Sequence, residues 1–364
     1  MRLISITRCQ PGMVLAKPIY TDTGTVLLNR DVSLTDSMIQ RLKQKGINTL
    51  YIRDKATEDI EVNEVISEET RRSAMKTIHQ SFTDIILSEQ KWKTRLSMQA
   101  VTSFRTMFES ILYDLKKNRN AMNLLTNIYT HDNYVYAHSL NVAIYSAALA
   151  IQQGYNDKEL TEIGIGALFH DIGKLMLPEE ILNKPDRLTE DEFEIIKKHA
   201  EYGFEFLRNQ DGISLLSAHC AYQHHERMNG SGYPRGLKGD EIHRFARVMA
   251  VCDVFDALTT NRVYRKAMLP HEAVEILYTG AGDGQFESKL VEGFRDTIAI
   301  YPLGITVVLN TGEVGVVVDY NRRLPSRPIV RITKHPDGRD VDKYYEIDLS
   351  KELTIMIVGC DAII

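Results

Sequence analysis

The sequence predicts a mainly α-helical protein with a small α+β module at its N-terminal end and a small β module at its C-terminal end. Three observations carry this. Between Glu61 and Lys117 there is no proline, and apolar residues recur at helical spacing. Residues 120 to 290 keep that texture, interrupted by "LPEEILNKPDRLT" and the glycine-rich "NGSGYPRGLKGDEI". After Phe294 the pattern turns to short apolar alternation around turn signals, the habit of strands. With 364 residues, 43% of them hydrophobic, the chain can fill two or three cores, which excludes disorder of the whole.

Residues 1–57 form the first module. "TDTG" (21–24) marks a turn, Thr35 caps a short helix in "LTDSMIQRLKQKG", Gly46 ends it, and "INTLYI" reads as a strand. In residues 58–119, Ile78, Phe82 and Ile85, then Phe104, Phe108, Ile111 and Leu115, lie on the apolar faces of two long helices. These either link the first module to the central helical domain or form the seam of a homodimer. Residues 120–292 make the helical domain that holds the chemistry. In residues 293–364, "GITVVLNTGEVGVVVDY" is a strand pair around "NTGE", and "RPIVRI" and "YYEIDL" add strands to a small barrel or sheet.

A net charge of −5 supplies no overall basic field for a DNA or RNA polymer or an anionic membrane. No run approaches the roughly 18 apolar residues of a membrane span. The start, "MRLISITRCQPGMVLAKPI", lacks the apolar core of a secretory signal. Cys9, Cys220, Cys252 and Cys360 have no CxxC spacing, which suits reduced thiols, and the expected location is the cytoplasm.

The run "ALFHDIGKLMLPEEIL" (167–182) sets His170, Asp171 and Lys174 in apolar surroundings, where a carboxylate and an ammonium are costly. His138, His199, the pair His224 and His225, and Asp253 occupy similar apolar-flanked segments. Any one of these alone is more often a core or surface residue. Together, imidazoles and carboxylates on several helices point to metal, and the set exceeds what one four-coordinate ion needs. Two ions would offset the cost: Asp171 can bridge both, and Lys174, one turn on, can face the same cavity. His79, His131, His243, His271 and His335 lie in polar surroundings and read as surface residues, and His219 as structural.

The order H…HD…H…HH…D, with "HDIGK" and "HHERMNGSGYP", resembles the HD-GYP family of the HD phosphohydrolase superfamily over about residues 125 to 290. The resemblance implies an all-helical HD-type metal-dependent core and hydrolysis of cyclic di-GMP to pGpG, GMP or both. It assigns His138, His170, Asp171 and Asp253 to one divalent ion and His199, His224 and His225 to a second, with Asp171 shared and Fe or Mn as the metal. Tyr134 stands where members with a third metal carry Glu, so the site is expected to be binuclear. Lys174 matches a phosphate-facing lysine, Tyr233 a side chain that stacks on guanine, and Arg262 and Arg265 basic contacts to substrate. The expected nucleophile is a hydroxide bridging the ions, and Asp256 is a candidate proton donor to the leaving oxygen. Two alternatives stay open: another substrate, such as a mixed cyclic dinucleotide, a nucleotide monophosphate or a phosphorylated protein, or a catalytically slow protein that acts as a cyclic-dinucleotide sensor or as a partner of a diguanylate cyclase.

Overall fold

The structure is a computed structural model that describes residues 1–21, 25–61, 65–88, 91, 94–118, 134–182, 184, 186–260, 267–321 and 324–360. In the N-terminal module, β1 (Arg2–Ser5) pairs antiparallel with β4 (Thr49–Ile52), and β2 (Ile19–Tyr20) with β3 (Val26–Leu28). The expected turn at 21–24 falls largely outside the described residues. Helix α1 (Asp36–Gln44) starts where expected, because Thr35 Oγ1 accepts from Met38 N, and the chain leaves it through Gly46 at a φ of 75°.

Helices α2 (Glu68–Ile86) and α3 (Met98–Lys117) carry the apolar stripes read from the sequence, but neither stripe is free to form a seam. Both are buried against α4 (Tyr134–Gln152) and α5 (Asp157–Phe169), within the core of the helical domain. Phe82 and Phe104 close on Phe169 with ring centroids 5.8 and 4.6 Å away, directly behind His170. Gly164 makes the approach of α3 possible: a Cβ there would lie 1.8 Å from the Phe108 ring.

The domain continues through short α6 (Glu179–Leu182), α7 (Glu190–Lys197), α8 (His199–Arg208), α9 (Leu215–Gln223), α10 (Arg244–Thr259), α11 (Pro270–Gly282) and α12 (Ser288–Thr297). Capping boxes start α5 (Asn156 with Glu159) and α7 (Thr189 with Glu192). Helix α10 is buried nearly all round, the mark of a central helix, and its Asp253 and Asp256 are the carboxylates it carries inward.

The C-terminal sheet is antiparallel, in the order β8 (Asp340–Asp348), β7 (Ile329–Lys334), β6 (Val314–Asp319), β5 (Thr306–Leu309), β9 (Ile357–Cys360). "NTGE" is the β5–β6 turn, with Gly312 at a φ of 87°. The N-terminal module docks on this sheet. Leu3 N donates to Gly304 O at 2.9 Å, Tyr51 Oη to Leu303 O at 3.2 Å, and Arg331 makes a two-pronged ion pair with Asp59 at 2.6 and 2.7 Å. Leu3, Tyr51 and Ile60 share one apolar cluster with Val307, Val316 and Val330. Among the described residues no helix is long and apolar enough to cross a membrane, and all four cysteines are free.

Candidate metal centre

Helix α5 ends at Phe169, so "HDIGK" is the hinge between α5 and a 3-10 turn, Ile172–Met176, rather than the middle of an α-helix. The hinge lies against the start of α8, where Gly173 permits contact: a Cβ there would sit 2.0 Å from His199 O. His138 comes from α4, His199 from the first residue of α8, His224 and His225 from the end of α9, and Asp253 from α10.

Five elements thereby deliver the seven expected ligands to one place. Ligand atoms of Asp171, His199, His224 and His225 lie within 4.8 Å of one another, as do those of His138, His170 and Asp171, and those of His170, His224 and Asp253. Asp171 stands between them. Its Oδ1 faces His199 Nε2 at 3.4 Å and His224 Nε2 at 3.8 Å, while Oδ2 faces His170 Nε2 at 3.4 Å, His138 Nε2 at 3.6 Å and Lys174 Nζ at 2.5 Å. Asp253 Oδ1 lies 3.2 Å from His138 Nε2 and 3.8 Å from His170 Nε2.

The imidazoles are aimed from behind. His170, His199 and His224 each place Nδ1 2.7 to 2.8 Å from a backbone carbonyl three residues earlier, which turns Nε2 inward as a lone-pair donor. His138 uses a carboxylate instead: its Nδ1 lies 2.7 Å from Asp256 Oδ2, and Asn141 Nδ2 donates to Asp256 Oδ1 at 3.0 Å. Asp256 is buried with both oxygens engaged. It orients His138, which corrects its expected role as a proton donor to the leaving oxygen.

Burial pushes His170, His224 and His225 below the ordinary imidazole pKa and His199 to about 4, so they are neutral at pH 7. For His138 burial acts the same way, but hydrogen bonds with Asp253 and Asp256 outweigh it and raise the pKa to about 9. At neutral pH its proton lies towards Asp253, where a divalent cation would replace it. Burial opposes ionisation of Asp171 and Asp253 as well. Lys174 and the imidazoles nonetheless hold Asp171 well below the usual carboxylate range, and His138 and His170 do the same for Asp253.

This donor set fits divalent metal. Among the described residues, His170 Nε2 and Asp171 Oδ1 are buried without a hydrogen-bond partner, a costly state for each that a cation ligated on its side of the cluster would relieve. Neutral imidazoles beside ionised carboxylates are the forms that ligate first-row ions.

Tyr233 stands over the cluster. Its ring stacks on His225 with centroids 4.5 Å apart, and its N–H donates to His225 O at 3.2 Å. Gly232 is required there, since a Cβ would lie 2.4 Å from His225 O and from Arg227 N. Glu226 was not singled out in the sequence, where an acid after two histidines has no distinctive spacing. It is buried and accepts from Arg235 N at 2.8 Å and Leu237 N at 2.9 Å, tying the far side of the loop back to the end of α9. Arg262, Arg265 and the side chain of Tyr134 lie outside the described residues, as does His131. His79, His243 and His271 are half-buried rather than at the surface, and His243 accepts from Phe245 N at the start of α10.

Comparison with known proteins places this cluster in a family. Residues 106–290 match the model of the HD domain, and residues 306–363 match a KOW domain associated with HD domains. The chain is 36% identical over 226 residues to the cyclic di-GMP phosphodiesterase PA4108 of Pseudomonas aeruginosa, covering 62% of this chain and 54% of that protein. It is 36% identical over 209 residues to a cyclic di-GMP phosphodiesterase of Thermotoga maritima, covering 57% and 55%. It is also 36% identical over 190 residues to the 3'3'-cGAMP-specific phosphodiesterase 2 of Vibrio cholerae, covering 51% and 36%. The chain thus spans about half the length of the first two relatives and less of the third. The fold is shared with Bd1817, an HDG"Y"P protein of Bdellovibrio bacteriovorus, at a TM-score of 0.53 and 18% identity over 81% of this chain and 98% of that one. With the helical core and the His and Asp cluster in place, and with Gly232, Tyr233 and Pro234 looped over it, this chain belongs to the HD-domain family.

Proposed function

We propose that this chain is a metal-dependent phosphodiesterase that hydrolyses cyclic di-GMP to pGpG, GMP or both. The observation that carries the reading is the division of Asp171, whose two oxygens face two separate sets of imidazoles. We assign one divalent ion to His138, His170, Asp171 and Asp253, and a second to Asp171, His199, His224 and His225, with Fe or Mn as the metal. Bound there, such ions supply Lewis acidity and a water acidified to near-neutral pKa.

The chain's own residues do the rest. Lys174 is assigned to the non-bridging phosphate oxygens, where fixed positive charge stabilises the transition state more than the ground state. Tyr233, held on His225, is assigned to a guanine face, and Arg262 and Arg265 to the phosphates. Water adds across the ester: its oxygen bonds to phosphorus, the bond from phosphorus to the 3′ oxygen breaks, and that oxygen leaves with a proton. The cytoplasm, where reduced thiols persist, is the proposed place of action.

A second substrate has specific support, because curated relatives from Vibrio cholerae are named as 3'3'-cGAMP-specific. The test is chromatography of products after the full chain, loaded anaerobically with Fe(II) or Mn(II), is incubated with each dinucleotide beside the Asp171→Ala variant. Linear products from cyclic di-GMP with the intact chain alone are expected. Cleavage of 3'3'-cGAMP alone would move the substrate, and binding without cleavage at verified metal content would favour the sensor reading.

A further inference from the structure

We propose that Phe193 and Lys197 form a guanine-stacking subsite beside Tyr233, and that this subsite sets base preference; the identity of the ligand rests on the phosphodiesterase reading above. The two residues lie one turn apart on α7 and share a face. Phe193 is 43% exposed, yet its ring centroid lies 6.2 Å from that of Tyr233, edge to face at 80°. Lys197 Nζ lies 5.0 Å from the Phe193 centroid and 5.7 Å from the Tyr233 centroid. Other exposed apolar side chains, such as Leu87 and Tyr113, are ordinary surface features. Phe193 differs because a line of rings, His225, Tyr233 and Phe193, leads outward to it from the metal cluster.

Both walls are fixed before any ligand arrives. The capping box of Thr189 and Glu192 holds α7, and Lys184 adds an ion pair to Glu192 at 2.7 Å. Glu226 holds the Tyr233 loop. A flat, apolar-faced ligand with acceptors on its rim suits such a corner. Guanine presents O6 and N7 as neighbouring acceptors, whereas adenine presents N7 beside a donor amine. Lys197 pairs with Glu194 at 2.5 Å, but an ammonium has three donors, so others remain for the base.

The full chain is tested in two ways. Calorimetry of the chelator-treated protein reads binding of cyclic di-GMP and cyclic di-AMP, and steady-state kinetics of the Mn(II)-loaded protein reads KM and kcat. Phe193→Ala is expected to weaken binding of cyclic di-GMP and raise KM about ten-fold, with metal content unchanged and most of the effect in KM. Phe193→Tyr should restore both, and Lys197→Met should narrow the preference for guanine over adenine several-fold. Unchanged binding and KM in Phe193→Ala, or no rescue by Tyr, overturns the subsite. If wild-type protein cleaves bis(p-nitrophenyl) phosphate but binds no cyclic di-GMP, the guanine subsite falls and metal-dependent hydrolysis stands. If binding depends on Phe193 but no diester is cleaved, the subsite stands and the phosphodiesterase reading falls.

Discussion

At the scale of single residues, the cluster depends on side chains that are not among the seven expected ligands. Asp256 fixes the ring of His138, so Asp256→Ala should lower metal affinity about 10- to 100-fold in a competition titration; an unchanged affinity would refute that role. Lys174 holds no ligand position, so Lys174→Ala should keep its metal while kcat falls on the order of 100-fold. Metal analysis beside turnover separates it from Asp171→Ala, which should lose both. Glu226→Ala would leave the buried N–H of Leu237 without an acceptor, at about 1 to 3 kcal/mol, and would also release the half-buried N–H of Arg235. The cost should appear as lower stability to urea and a raised KM. A variant as stable as wild type would show that the loop is held by other contacts.

At the scale of elements, two close approaches set the site. Helix α3 reaches α5 only because Gly164 is bare beneath Phe108, and Phe108→Ala should destabilise the domain by about 3 to 5 kcal/mol in denaturant titration. The 3-10 turn after Asp171 meets α8 at Gly173. Added carbon there collides with backbone, not with a flexible side chain, so Gly173→Ala should separate Asp171 from His199 and lower the metal content below that of the wild type. Full metal content in that variant would sink the idea. The helical stripes of α2 and α3 were legible because period 3.6 is written in the residue types. What they cover was not, since an apolar face accepts a neighbour, a partner or a second copy equally well. The helix-to-turn break inside "HDIGK" was not legible, because a single glycine in an apolar run is tolerated within a helix and no proline follows until Pro178.

At the scale of the whole molecule, the two ends of the chain meet. Leu3, Tyr51 and Asp59 pack and bond onto the C-terminal sheet. Asp348, at the end of β8, accepts from Ser350 N and Oγ, from Asn321 Nδ2 and from Lys351, and its pKa is lowered to about 2, chiefly by Ser350. A carboxyl lowered on folding adds stability above its unfolded pKa of about 4, and that share is lost as pH falls towards 2. The gap in urea midpoint between wild type and Asp348→Ala should therefore be full at pH 6 and close near pH 2. A gap of equal size at both would exclude the ionised carboxylate as its source.

The sequence by itself determined the helical class, the strand-rich end and the seven His and Asp residues that gather in one cluster, because periodicity and donor chemistry reside in residue identity and order. Only the tertiary structure decided that Asp171 divides the imidazoles into two sets, that Asp256 stands behind His138 rather than before the substrate, and that Glu226 ties down the Tyr233 loop. Each of these is a contact between segments far apart in the chain or set at no regular spacing, and what fixes it is the direction in which packing turns a side chain.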